Sequence, residues 1–188
     1  MAYQLPDMVR RERRSFDLAG QSAGPPFDPT VYGIRPIFAN SRINRGLTCD
    51  YDIVNGRLEV VRVQFVTRHA TSRIGNNHAI SNQRDDGAFQ VEYDELNLPL
   101  AYTGGLLLGS FIIERLIVPF GIQPAWKYRE VHELQFIEGS LVEEWDRSAD
   151  VAQLRDSLAD KVRDLWFDED ARHWHRNCFN EEYPWRAW

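Results

Sequence analysis

The stretch GLTCDYDIVNGRLEVVRVQFV, residues 46–66, carries two short β-like runs around Asn55-Gly56. Asn-Gly between such runs is the strongest short-range hairpin signal, because both residues tolerate the positive φ of a tight turn. Two registers are open. A two-residue turn sets Asp52 opposite Glu59, a like-charge pair that destabilises a sheet. A turn with Gly56 in a left-handed bulge shifts the pairing by one. Leu47, Cys49 and Tyr51 then share a face with Val61, Val63 and Phe65, and Asp50 and Asp52 move to the other side. The bulged register is preferred, since a one-residue slip decides which face enters the core.

The same grammar continues downstream. AFQVEYDEL reads as a strand through Phe89, Val91 and Tyr93. GLLLGSFIIERLIV is the most apolar run. It reads as two buried strands divided at Gly109-Ser110, with a strand and a helical turn as the second choice. EVHELQFIEGSLVEEWDRS forms a second hairpin turning at Glu138-Gly139. The stretch SADVAQLRDSLADKVRDLWF then switches to helical spacing, with Val151, Leu154, Leu158, Val162, Leu165 and Trp166 on one stripe. Ser148 is the expected N-cap, and Asp150 favours the first turn.

The expected fold is therefore α+β: an antiparallel curved sheet, or a partly open β-barrel of six to eight strands, packed by one C-terminal amphipathic helix over 149–167. Residues 1–30 read as a flexible N-terminal arm, basic in MVRRERRSF and then broken by Gly and Pro. Residues 31–188 read as a single domain with an aromatic tail over 168–188. The polar run at 68–87 lacks periodicity and reads as a long loop.

Charge divides the chain. Residues 130–188 hold 15 acids and 7 bases, whereas residues 1–129 hold 13 acids and 15 bases, so the C-terminal third repels phosphate and attracts basic partners. Nothing resembles a secretory leader or a membrane-spanning run, which places the expected protein in the cytoplasm. Cys49 and Cys178 read there as thiols, not as a disulfide.

Candidate chemistry is sparse. His173, His175 and Cys178 have a metal-like density, but the two histidines fall on opposite sides of an extended segment, so no metal and no cofactor is expected. The weak catalytic candidates are His132, Glu133 and Glu114. Glu133 falls near Glu143 in a bulged second hairpin, where paired carboxylates raise one pKa. Gly104, Gly105 and Gly109 lack the lysine of a phosphate loop and read as strand-packing positions. Arg68, His69, Arg73 and His78, within a 35–84 region of eight arginines and three acids, are candidates for ligand or nucleic-acid contact, and Trp126 is a further candidate outside that region. Trp174, Trp185, Arg186 and Trp188 are candidate partner contacts, since tryptophan and arginine dominate binding hot spots.

The leading expectation is a non-enzymatic protein-binding module, toxin-neutralising or defence-associated, with a basic protein partner. A homodimer is open, and no membrane is involved. A ligand-binding or hydrolytic barrel is the alternative, with 68–87 as a lid over a cavity near Tyr102, Trp126 and His132. A nucleic-acid-binding accessory protein is the third.

Overall fold

Asn55 and Gly56 both take positive φ, 51° and 75°, and close a two-residue turn between β3 (Leu47–Val54) and β4 (Arg57–Thr67). In this computed structural model, residues 4–69, 73–117 and 123–162 are described, the side chains of the final helix only as far as Asp156. The hairpin uses both registers in turn. Near the turn, Asp52 faces Glu59 and Tyr51 faces Val60; beyond a bulge, Asp50 faces Arg62 and Cys49 faces Val63. Val61 is the extra residue. The buried face is thus Leu47, Cys49 and Tyr51 with Leu58, Val60, Val63 and Phe65, and Val61 leaves the expected set. The Asp52–Glu59 opposition survives because the Arg10 guanidinium donates to Asp52 Oδ2 at 2.7 Å.

Arg10 belongs to a region expected to be an arm. Instead β1 (Met8–Arg11) and β2 (Arg14–Gln21) form a hairpin in the middle of the sheet. Its turn, Glu12-Arg13, takes φ of 49° and 67° without glycine or asparagine, so no turn signal marks it. Val9, Phe16 and Leu18 alternate into the core. β1 lies parallel to β3, an exception in a sheet otherwise antiparallel.

The remaining strands are β5 (Ile80–Gln83), β6 (Phe89–Tyr93), β7 (Leu98–Pro99), β8 (Gly104–Ile112), β9 (Tyr128–Ile137) and β10 (Ser140–Asp146). β8 runs unbroken through Gly109-Ser110 and is followed by a 3-10 turn at Glu114–Leu116, so the second choice holds over two strands. β5 and β6 form a hairpin that structures part of the expected 68–87 loop, and Ile74 within that loop is buried.

Neighbouring strands run β10-β9-β8-β2-β1-β3-β4-β6-β5, with β7 against β4. The sheet curls until β10 meets β4, and seven strands make a ring-like circuit. The seam is short: Leu58 N–H donates to Gly139 O at 2.9 Å, and Leu141 N–H to Gly56 O at 2.7 Å. The two hairpin turns therefore touch. Glu138 and Gly139 repeat the positive φ of Asn55 and Gly56. β10 also bulges, between Leu141 and Glu143, and bulges deepen the coil a closing sheet needs.

The ring interior is filled by one apolar cluster that includes Tyr51, Leu58, Tyr93, Tyr102, Leu134 and Phe136. A smaller cluster outside the ring joins Ala19, Leu107, Trp126, Tyr128 and Val131 to Val151 of α1 (Ser148–Val162). The helix starts where expected but is capped differently. Asp146 accepts from Ser148 N–H at 2.9 Å, while the Ser148 hydroxyl accepts from Val131 N–H at 3.1 Å and ties the helix to β9. Arg155 donates to the carbonyls of Trp126 and Tyr128 at 2.8 and 2.6 Å. Leu154, expected on the buried stripe, is 40% exposed. Among the described residues no helix is long and apolar enough to cross a membrane.

Candidate functional site

The outer face of β1, β3 and β4 forms a groove of about 320 Å³, with Met8 and Val61 as its apolar part and Arg10, Asp50, Arg62 and Asp94 as its charges. The parity of the β3–β4 ladder dictates this: residues opposite one another share a face, so Asp50 and Arg62 emerge together. Arg62 is drawn away by β6. Its Nε donates to Glu92 Oε1 at 2.7 Å, and its Nη1 remains 3.8 Å from Asp50 Oδ2. Gln64 also donates to Glu92, at 3.0 Å. Four carboxylates, Asp50, Asp52, Glu92 and Asp94, thus surround two guanidiniums, Arg10 and Arg62. Burial raises the pKa of Asp50; Arg62 opposes this, and Asp94 and Glu92 add to it. The groove has unspent negative charge.

A second cluster sits at one rim of the ring. Glu130, His132, Leu134 and Phe136 alternate on the inner face of β9, and the first two reach the rim. His132 Nε2 lies 2.9 Å from Glu130 Oε1, and Nδ1 lies 3.6 Å from Glu144. Arg14 binds Glu130 with both terminal nitrogens, at 2.9 and 2.5 Å, and Arg11 pairs with Glu144. Phe16 meets the imidazole edge-on at 5.6 Å. Arg14 and then His132 hold the Glu130 carboxyl below its usual range. Both carboxylates are already held by guanidinium groups. The arrangement ties the rim of β9 and β10 to the β1–β2 hairpin.

The catalytic candidates do not converge. Glu133 points to the opposite side of β9 from His132, buried beside Arg147 at 2.7 Å, and faces Trp145 instead of Glu143. The bulge at Leu141/Glu143 sets that register. Glu114 is exposed beyond Ile112, which pairs with Tyr128, so it lies past the end of β9. The three side chains expected around a cavity are placed apart: Tyr102 belongs to the ring core, Trp126 to the cluster under the helix, and His132 to the rim. Arg68, His69, Arg73 and His78 are exposed, whereas Trp126 is buried. Cys49 is buried, and burial followed by the nearby Asp7 charge pushes its thiol well above the ordinary range. Trp174, Trp185, Arg186, Trp188 and the His173–Cys178 cluster lie outside the described residues. Among the described residues no group of three or more His, Cys, Asp or Glu side chains is arranged to hold a metal ion.

The sequence hides the groove because residues 1–30 read as an arm. Met8 and Arg10 come from the supposed arm, and Asp94 from a loop end. The one available signal was the alternation of Ser15 and Asp17 with Phe16 and Leu18. Compared with known proteins, the chain matches no family model, no curated protein and no solved structure.

Proposed function

We propose that this protein is a non-enzymatic binding module that receives a basic segment of a protein partner on the outer face of β1, β3, β4 and β6. The observation that carries this reading is the carboxylate excess around the groove, centred on Asp50. Its pKa is raised by burial and by its acidic neighbours. A partner's lysine or arginine placed between Asp50 and Asp94 relieves that repulsion, over apolar contact with Met8 and Val61. The neutralisation of a basic toxin, or another defence-associated role, is a task such a face would serve in the cytoplasm.

A nucleic-acid role has less support. Within the arginine-rich region, Arg45 is spent on Asp7, Arg62 on Glu92 and Arg84 on Asp86, and Arg57 donates to the Ser140 hydroxyl at 3.3 Å. A titration with a decalysine peptide tests the proposal. Asp50→Asn/Asp94→Asn should weaken binding about ten-fold or more and flatten its salt dependence, with the thermal midpoint held or raised. Equal affinity in the two proteins overturns it.

A further inference from the structure

β5 ends the sheet: among the described residues only β6 pairs with it. The orientation of its backbone follows from one bond. Arg84 N–H donates to Ala88 O at 2.8 Å across the hairpin, so Arg84 and the alternate residues Asn82 and Ile80 turn their peptide groups toward β6. Ser81 and Gln83 therefore present N–H and C=O to the open edge. All four residues are exposed, Ile80 to 62%.

Edge strands are ordinarily guarded by lysine, proline, inward charges or a covering element. Ile80-Ser81-Asn82-Gln83 contains no charge and no proline. Charge appears around it instead. Residues 78–95 hold five acids, Asp85, Asp86, Glu92, Asp94 and Glu95, against Arg84 alone. Ile80 and Asn82 also stand opposite Glu92 and Gln90, on the face that carries the groove. The open edge and the acidic face are one continuous surface.

We propose that the free edge of β5 is a strand-addition site for an extended, basic segment of the partner. The inference rests on the basic-partner reading above and adds the mode of attachment. Ser81 and Gln83 supply main-chain hydrogen bonds, and alternate side chains of the incoming strand fall beside Ile80 and Asn82 on the acidic face.

The test uses three ten-residue peptides: alternating lysine and threonine, the same peptide N-methylated at alternate residues, and alternating glutamate and threonine. The full chain is titrated with each by NMR. The lysine peptide should bind, slow the amide exchange of Ser81 and Gln83, and lose about ten-fold or more in affinity on N-methylation. Ser81→Pro, which removes an outward N–H and leaves the β6 ladder intact, should cause a similar loss at an unchanged thermal midpoint. N-methylation leaves the protein untouched, so the test stands if the proline variant unfolds. Binding of the lysine peptide that ignores both changes but falls in Asp50→Asn/Asp94→Asn overturns strand addition and keeps the basic-partner reading. Protection of Ser81 and Gln83 by the glutamate peptide alone keeps strand addition and overturns the basic partner. Binding of none of the peptides overturns both.

Discussion

The Tyr128 hydroxyl donates to Asp17 Oδ2 at 2.8 Å, and its ring lies over Gly109 on the strand between them. Three strands are joined by one side chain, and the contact exists because position 109 has no Cβ. An added methyl would lie 2.6 Å from Tyr128 Cγ. Gly109→Ala should destabilise the fold by about 1–3 kcal/mol through overpacking. Tyr128→Phe should cost about 1.5–3 kcal/mol, the range for a hydrogen bond to a charged group. Urea unfolding checks both; a wild-type midpoint for Gly109→Ala would contradict the packing.

Gly56 and Gly139 occupy the same place in their turns, with φ of 75° and 77°, yet they should respond differently to alanine. A Cβ at Gly56 meets nothing within 4 Å, whereas one at Gly139 would lie 1.8 Å from Leu100 O. Gly56→Ala should cost only the left-handed backbone strain, about 1–2 kcal/mol. Gly139→Ala should cost clearly more and break the seam, read as faster exchange at Leu58 and Leu141 amides. Equal losses would show that the turns do not bear on the closure.

Asp7 and Glu130 should shape the acid limb of stability in opposite directions. Asp7 accepts from Cys49 N–H at 2.7 Å and Arg45 at 2.5 Å, but burial outweighs both and raises its pKa above the ordinary 3.8. The folded state therefore holds that proton more tightly than the unfolded chain. The stability it contributes is full below 3.8 and is lost as pH rises through the raised value. Glu130 is lowered from 4.5, so its contribution is present above that value and lost as pH falls. Removing the Asp7 term with Asp7→Asn should make the variant gain on wild type as pH rises from about 4. Unfolding free energies measured at several pH values give the slope; a constant difference would contradict the raised pKa.

Cys49 should be inert in the native state. Its thiol is buried and its pKa is raised, so little thiolate is exposed to reagent. In a Cys178→Ser variant, a disulfide-exchange reagent should label Cys49 only on global unfolding, at the rate set by denaturant. Rapid labelling without denaturant would show a local opening of β3.

The two hairpins legible in the sequence turn at Gly, although Gly87 in the β5–β6 turn announces none. Asn55-Gly56 and Glu138-Gly139 announce their hairpins, and Val151 marks the helix. Glu12-Arg13 makes a turn of the same kind with two charged residues, and its hairpin passed for an arm. Long-range closure left no local trace either. Asp52 opposite Glu59 looked too repulsive because its neutralising partner, Arg10, stands 42 positions away. His132 was found as a residue but not as a site, because its neighbours Arg11, Arg14 and Phe16 come from that same hidden hairpin.

The meeting of the two turns also sets an order of events. Each of the two hairpins involved can form from its own neighbourhood within microseconds, independently of the other. The seam between them joins Arg57 to Ser140, 83 positions apart. On a ribosome, β3 and β4 emerge long before β10 exists, so every nascent chain passes through a period with an open circuit and an unsealed core. Non-local closure of this kind slows folding. Until residue 141 is released, the unsealed core is open to misassociation.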